Sequence, residues 1–384
     1  MKDPVGPVRR AALFALGQIG GSGSVVFLRD ALPAMEEADV PYALEALGKT
    51  GDARAVPLAT RRLGGGTPEM RGAAALALVR LAAPSALPEL FAALASESDA
   101  ETRWRMLCAA WRLLRARGPA GPPAEWMELL AAATAASRPF EERVFAIRAL
   151  GALGTRPPRL FDLLDETDAR LCVEAVHASS LPWDGEAAGA ALARAPRSEP
   201  LVQEALLEML RAGGAAARPL LEGFHEPVSA PLRLRALHAE ILAAAGGTPE
   251  WFQGASAEER ATAWYEEALW RGSARAGRIP KEGLPATFRG RAAAAEACAV
   301  ENAPVEAARS TLRELLGTPD FAVRAAAIKA LALRGEPADA DAIVAAAEQA
   351  RDAGEMEVRA EAASALAALK AAHPWLGRAA TEDP

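Results

Sequence analysis

Val8-Arg9-Arg10-Ala11-Ala12-Leu13-Phe14-Ala15-Leu16-Gly17-Gln18-Ile19-Gly20 is a segment that returns about every 31 residues along the chain. It comes back as Glu142-Arg143-Val144-Phe145-Ala146-Ile147-Arg148-Ala149-Leu150-Gly151-Ala152-Leu153-Gly154, and near the end as Val323-Arg324-Ala325-Ala326-Ala327-Ile328-Lys329-Ala330-Leu331-Ala332-Leu333-Arg334-Gly335. A period of this length marks a stack of like supersecondary units and not one globular core. Small or apolar residues follow Arg9 at the third, sixth and seventh positions (Ala12, Ala15, Leu16), a spacing that lays one buried stripe along a helix. Aligned on Arg9, the copies fall at residues 9, 40, 71, 103, 143, 170, 203, 235, 291, 324 and 359; nine of these eleven are Arg, with Val40 and Gln203 as exceptions.

Between these register helices lies a second apolar segment, opened by Pro or Asp, as in Asp52–Leu63 and Pro84–Leu94. Pro suits a first helical turn, where its missing N–H has no partner to lose. Gly, Asp and Pro punctuate the joints, as at Gly48 to Asp52 and Gly317 to Asp320. The composition agrees: 96 alanines and only two tyrosines favour helix over strand. The expected fold is all-α, an α-solenoid of stacked antiparallel helix pairs, about ten hairpins plus an unpaired N-terminal helix. One solenoid is expected over residues 1–384, because a stack buries its core between neighbours and needs no domain boundary. A C-terminal tail is expected over 373–384.

The pattern resembles the HEAT repeat family, in the short bacterial variety of the phycobilisome lyases. Gly48 to Pro57 (Gly-Lys-Thr-Gly-Asp-Ala-Arg-Ala-Val-Pro) carries one half of its motif, and Asp320 to Gly335 the other. The resemblance runs along essentially the whole chain, with weaker copies between 156 and 300. It implies an armadillo-like architecture and leaves the function open, since such repeats serve unrelated tasks.

Several classes are disfavoured. Cys108, Cys172 and Cys298 are odd in number, far apart and without Cys-x-x-Cys spacing, so neither a disulfide framework nor a zinc site is expected. Cys298 stands where Leu16 stands in the repeat and reads as a small buried hydrophobe. No run of about 18 apolar residues suggests a membrane span. The start, Met1 to Val5, lacks a signal-peptide pattern, so a cytoplasmic location is expected. His177, His225, His238 and His373 are scattered, and no phosphate loop or nucleophile elbow occurs. No catalytic residue, metal ligand or cofactor is expected, and the chain is read as a non-enzyme.

The recurrent Arg reads as scaffold, bridging each helix start to an acid of the adjoining turn such as Glu69, Asp168 or Asp320. One irregularity stands out. The step from Arg235 to Arg291 is 56 residues, read as an irregular repeat over 254–290 with a longer outer helix through Trp264 and Trp270 and then an open basic loop. On that reading, residues 273–285 can be deleted without loss of the fold. The register helix at Arg9 also opens the chain with no partner ahead of it.

Charge points to a function. The chain carries net −7, yet residues 101–160 carry net +5, residues 161–270 net −10 and residues 271–300 net +4. From Arg103 to Arg117 no acid occurs, and Trp104 and Trp111 are seven apart, so one helix face can hold both. Arg beside aromatic side chains can anchor a protein partner or grip phosphates and stack bases. The candidate partner-binding residues are Arg103, Trp104, Arg105, Trp111, Arg112 and Arg115, with Arg275, Arg278 and Lys281 in the second basic stretch. The leading expectation is a protein–protein interaction scaffold or adaptor that uses the concave face of the solenoid. Nucleic acid, held as in DNA-glycosylase-like HEAT proteins, is the alternative; the acidic balance disfavours it. By resemblance alone, a lyase-type HEAT protein or the repeat portion of a larger enzyme such as a peptidyl-prolyl isomerase are further readings.

Overall fold

The computed structural model describes all residues except 1–2, 119–120, 122, 155–157, 180–182, 197–198, 225–229, 281–282, 354, 372 and 377–384, and the side chains of 351–353. Among the described residues every regular element is helical. The chain divides into two compact units, Met1–Pro196 and Arg197–Pro384.

Unit 1 holds α1 (Gly6–Ile19), α2 (Gly21–Ala31), α3 (Val40–Lys49), α4 (Val56–Thr60), α5 (Pro68–Arg80), α6 (Leu87–Ser96), α7 (Ala100–Arg117), α8 (Ala124–Ala133), α9 (Phe140–Ala152), α10 (Pro158–Asp162), α11 (Ala169–Ser179) and α12 (Gly185–Arg194). The odd-numbered helices α1 to α11 lie side by side in order, and α4, α6, α8 and α10 each pack on the odd-numbered helix that follows. This is the α-solenoid that the repeat predicts. Leu44, Leu78, Leu94, Leu107 and Leu150 are fully buried in one continuous core. Two features set the spacing. Side-chain oxygens of Thr67 and Asp99 cap α5 and α7, fixing where these helices begin. Glycine eight residues after the register position lets neighbours touch: a Cβ on Gly48 would lie 2.9 Å from the Ala77 Cα, and one on Gly151 only 2.7 Å from the Ala178 Cα.

Unit 2 holds α13 (Pro200–Ala212), α14 (Arg218–Glu222), α15 (Leu232–Ala244), α16 (Glu250–Gly254), α17 (Ala257–Arg260), α18 (Ala263–Arg275), α19 (Phe288–Ala299), α20 (Val305–Leu316), α21 (Phe321–Arg334), α22 (Ala340–Ala353) and α23 (Met356–Ala368). Here α13, α15, α18, α19, α21 and α23 lie side by side. The long step in the sequence is thereby corrected. α18 is no outer helix; it stands in the register row between α15 and α19, and Glu266 is its fourth residue, where Arg235 and Arg291 sit in theirs. The step is two repeats in which a Glu replaces the Arg. The Glu266 carboxylate accepts from the Ala286 N–H at 2.7 Å, the Thr287 N–H at 3.1 Å and the Thr287 hydroxyl, tying down the turn that starts α19. Deleting 273–285 would remove the last turn of α18 with its fully buried Ala274, so that segment is no dispensable loop. The expected tail is also partly built in: Trp375 is buried in the unit 2 core, with the Arg359 guanidinium 5.6 Å from its ring.

The arginines act as staples. Arg103 donates to the Leu94 and Glu97 carbonyls at the end of α6 and, at 3.0 Å, to the Glu142 carboxylate of α9. Arg143 donates to the Thr134 carbonyl after α8 and pairs with Glu166; Arg324 donates to the Thr318 carbonyl and pairs with Glu355. Each satisfies carbonyls that a helix end leaves open and joins them to an acid at the start of the next register helix. The partners are therefore other than those expected. Asp320 caps its own helix, and Asp168 pairs with Arg170 two residues on. Arg170 itself is exposed; the fourth residue of α11 is Cys172, fully buried, whose thiol points at the Leu164 carbonyl at 3.4 Å.

Candidate functional site

α7 carries Cys108, Trp111, Arg112 and Arg115 at i, i+3, i+4 and i+7, one stripe of a helix. The neighbouring α9 adds Arg148, Gly151 and Ala152, and α11 adds Glu174, His177 and Ala178. Together Trp111, Arg115 and these residues line a groove of about 680 Å³ within unit 1.

Trp111 explains the groove. It lies eight residues after Arg103, the position that holds Gly17, Gly48 and Gly151 in their repeats. Those glycines nest on the next register helix, and an indole has no room to do so. Its ring lies 6.0 Å from Phe145, with the Arg148 guanidinium 5.2 Å and the Arg115 guanidinium 5.9 Å from its centre. The next joint reverts to glycine, so Gly151 brings α9 against Ala178 of α11 and closes the floor. A bulky wall beside a close-packed floor is what leaves a concavity.

The charges of the groove fall into two sets. Arg148 grips Glu174 with two parallel hydrogen bonds, its Nε 2.7 Å from one carboxylate oxygen, so Glu174 is spent on orienting Arg148. Arg115 of the lining, and Arg112 just outside it on α7, are exposed and make no ion pair among the described residues. Burial raises the Cys108 thiol above its ordinary range, although Arg112 and Arg148 lie near enough to pull it down. That thiol is held protonated and is a poor nucleophile.

Among the other residues singled out in the sequence, Arg103 is a correction: it is 6% exposed and fully engaged by α6 and α9, so it forms no part of an open surface. Trp104 is half-buried and stacks on Phe145 at 5.9 Å; Arg105 pairs with Glu101. In unit 2, Arg275 is exposed and lies 3.2 Å from the Glu240 carboxylate, and Arg278 is exposed without an ion pair among the described residues. Lys281 lies outside the described residues. A groove of about 510 Å³ in unit 2 reaches Arg275, but its charges are mutually paired: Arg211 and Arg275 share Glu240, and Arg271 bridges Glu267 and Glu296. Sequence reasoning missed Arg148, Glu174 and His177; their common face emerges only when three repeats are stacked. Among the described residues no three His, Cys, Asp or Glu side chains converge as metal ligands, and no helix is long and apolar enough to cross a membrane.

Comparison with known proteins addresses the repeat. A model of HEAT repeats matches residues 41–109 and 287–367, and a model of the PBS lyase HEAT-like repeat matches residues 8–38. No curated protein matches the chain. Among solved structures it is similar to human deoxyhypusine hydroxylase in complex with glycerol, at 25% identity over 64% of this chain and 90% of that one, TM-score 0.29. It is also similar to a chain from a structure concerned with the phosphorylation-controlled interaction of cadherin and beta-catenin, at 17% identity over 96% and 89%, TM-score 0.35. A third is Kap121p bound to Nup53p, at 11% identity over 99% of this chain and 45% of that one, TM-score 0.41. From the repeated helix pairs, their glycine joints and the family models that match at both ends, the chain belongs to the HEAT repeat family.

Proposed function

We propose that the chain is a non-catalytic, cytoplasmic scaffold that binds a protein partner, and that the groove across α7, α9 and α11 is the contact. The observation that carries this reading is the pair Arg112 and Arg115 beside Trp111: two exposed arginines without ion pairs, next to an aromatic wall, where the register arginines of the same unit are engaged within the scaffold. Arg and Trp are the side chains on which binding energy concentrates, because each offers a large contact area with directed polar or π interactions. The groove holds no unpaired carboxylate to act as a base and no activated thiol, which favours binding over chemistry.

The test is a pull-down from native lysate with the tagged chain and with an Arg112→Glu/Arg115→Glu variant, with and without nuclease. A stoichiometric protein that survives nuclease and is lost with the variant supports the scaffold. Recovery of nucleic acid alone, or no protein at all, refutes it.

A further inference from the structure

We propose that the segment received by this groove is a short acidic one: one or two Asp or Glu residues against Arg115 and the neighbouring Arg112, and a flat apolar side chain on Trp111. This rests on the scaffold reading and adds the chemistry of the partner. The charge argument is local. Four other arginines of α7 and α9 already have their anion: Arg103 has Glu142, Arg105 has Glu101, Arg143 has Glu166 and Arg148 has Glu174, while Arg117 at the end of α7 lies over Trp126 of α8. Arg112 and Arg115 are one turn apart on the same stripe of α7, a run with no acid from Arg103 to Arg117. A guanidinium that faces water without a partner gains a charge-assisted, often bidentate, hydrogen bond when a carboxylate arrives. Trp111 supplies the apolar half. Its ring has guanidinium groups 5.2 and 5.9 Å from its centre and shares the lining of the groove with Gly151 and Ala178, so a side chain entering over those two residues would meet it.

The acidic determinant is short because the surroundings change sign. Residues 161–196, around α10 to α12, carry seven acids against Arg170 and Arg194, so this end of unit 1 stays net negative even with Asp168 on Arg170 and Asp162 and Asp165 on Arg194. A long polyanion following the row of register helices would run into them, whereas one or two carboxylates above α7 would not. The same point separates a peptide from a nucleic acid. Two arginines give a single strand a salt slope of only about −1.4, from roughly −0.7 per neutralised phosphate. The steric scale fits as well, since about 680 Å³ lies in the range of pockets that enclose a few side chains.

The experiment is selection of a random 12-residue phage-displayed peptide library on the full chain, followed by fluorescence anisotropy of the enriched peptides at low and high salt. The expected peptides carry Asp or Glu within two residues of an aromatic residue. They bind the Arg112→Glu/Arg115→Glu variant at least tenfold more weakly, and changing their acids to Gln loses the same factor. Trp111→Ala should weaken binding while leaving the salt dependence in place. Circular dichroism should show the variants folded, because the exchanged side chains make no ion pair. Peptides that lack acids and bind another face overturn this proposal and leave the scaffold reading standing. No enriched peptide, together with no lysate protein, overturns both. A labelled dT12 oligonucleotide that binds more tightly than any enriched peptide overturns the peptide in favour of nucleic acid.

Discussion

A glycine-to-alanine series tests the idea that Gly17, Gly48 and Gly151 let α1, α3 and α9 come into backbone contact with the next register helix. In a helix, Ala is favoured over Gly by about 1 kcal/mol. At Gly23 in α2 an added Cβ meets nothing within 4 Å, so Gly23→Ala should stabilise unit 1 by about 0.5–1 kcal/mol. At Gly48 the Cβ would lie 2.9 Å from the Ala77 Cα, 3.2 Å from its Cβ and 3.3 Å from its carbonyl oxygen. That obstacle is backbone and cannot swing aside, so α3 and α5 must part by a few tenths of an ångström. Overpacking of this kind costs about 1–3 kcal/mol, which the propensity gain partly offsets, leaving a loss of about 0–1 kcal/mol at Gly48. Gly151 is tighter, with the Cα and Cβ of Ala178 both at 2.7 Å and its oxygen at 2.9 Å, so a net loss of about 1–2 kcal/mol is expected. Stacked repeats need not unfold in one step. The assay is therefore urea unfolding by circular dichroism combined with hydrogen exchange, which reads α9 and α11 separately. The order should be Gly23→Ala above wild type, Gly48→Ala slightly below it and Gly151→Ala lowest, with protection lost first at the α9–α11 joint. A Gly151→Ala protein as stable as Gly23→Ala would refute the close-approach argument.

Three further outcomes follow from the staples. Arg103→Glu should lower stability by about 3–5 kcal/mol, because it sets a carboxylate against Glu142 and two carbonyls in a buried site; chemical denaturation measures this, and a wild-type midpoint would show that Arg103 is free surface after all. Glu266→Ala should cost about 1–3 kcal/mol by stranding the Ala286 and Thr287 N–H groups, and should raise hydrogen exchange at the start of α19; unchanged exchange there would mean Glu266 does not hold the turn. Acid should unfold both units. Burial would raise the Asp39 carboxyl, but hydrogen bonds from Arg9 and Arg10 outweigh it and hold it below the usual range; Asp339 is likewise held low against its burial, by the Glu336 N–H, Arg313 and Arg309. A depressed folded-state value contributes stability that is present above about pH 4 and is lost as pH falls through it. Asp39→Asn and Asp339→Asn should each flatten the fall in melting temperature below pH 4, and an unchanged slope in both would sink the assignment.

The architecture was legible because its signal is repeated. Arg9, Arg71, Arg143 and Arg324 each sit at the fourth residue of a register helix, and after the last three the apolar residues at the expected distances fill the core, whereas in α1 Ala12 and Ala15 are exposed and Leu13 is the buried one. What the sequence hid were places where a different residue meets the same structural need. Glu266 concealed a whole repeat: the usual position reaches forward to an acid, whereas Glu266 reaches forward to N–H groups, inverting the charge and keeping the geometry. Cys172 hid the register of α11 by presenting a thiol to the carbonyl, while the nearby Arg170 offered a false alignment. The site was half legible for a related reason. Arg103 and Arg112 look alike in a basic run, and only the fold shows that one is walled in by α6 and α9 while the other is left to solvent.

The groove follows from a change of residue at one position of the repeat. Eight residues after the register position unit 1 has glycine in α1, α3 and α9 (Gly17, Gly48 and Gly151), each close against the next register helix, but Val79 in α5 and Trp111 in α7. The indole of α7 and the glycine of α9 stand side by side, so the wall and the floor of the concavity come from consecutive copies of one position. The same change affects what the surrounding arginines do. Arg148 is drawn over the indole and locked there by Glu174, whereas Arg115, also against the indole, makes no ion pair among the described residues and is left to receive an anion. Replacing the tryptophan by the glycine found in α1, α3 and α9 would remove the wall without touching the staples. Specific binding in this chain thus depends on where the repeat is broken, and its stability on where the repeat is kept.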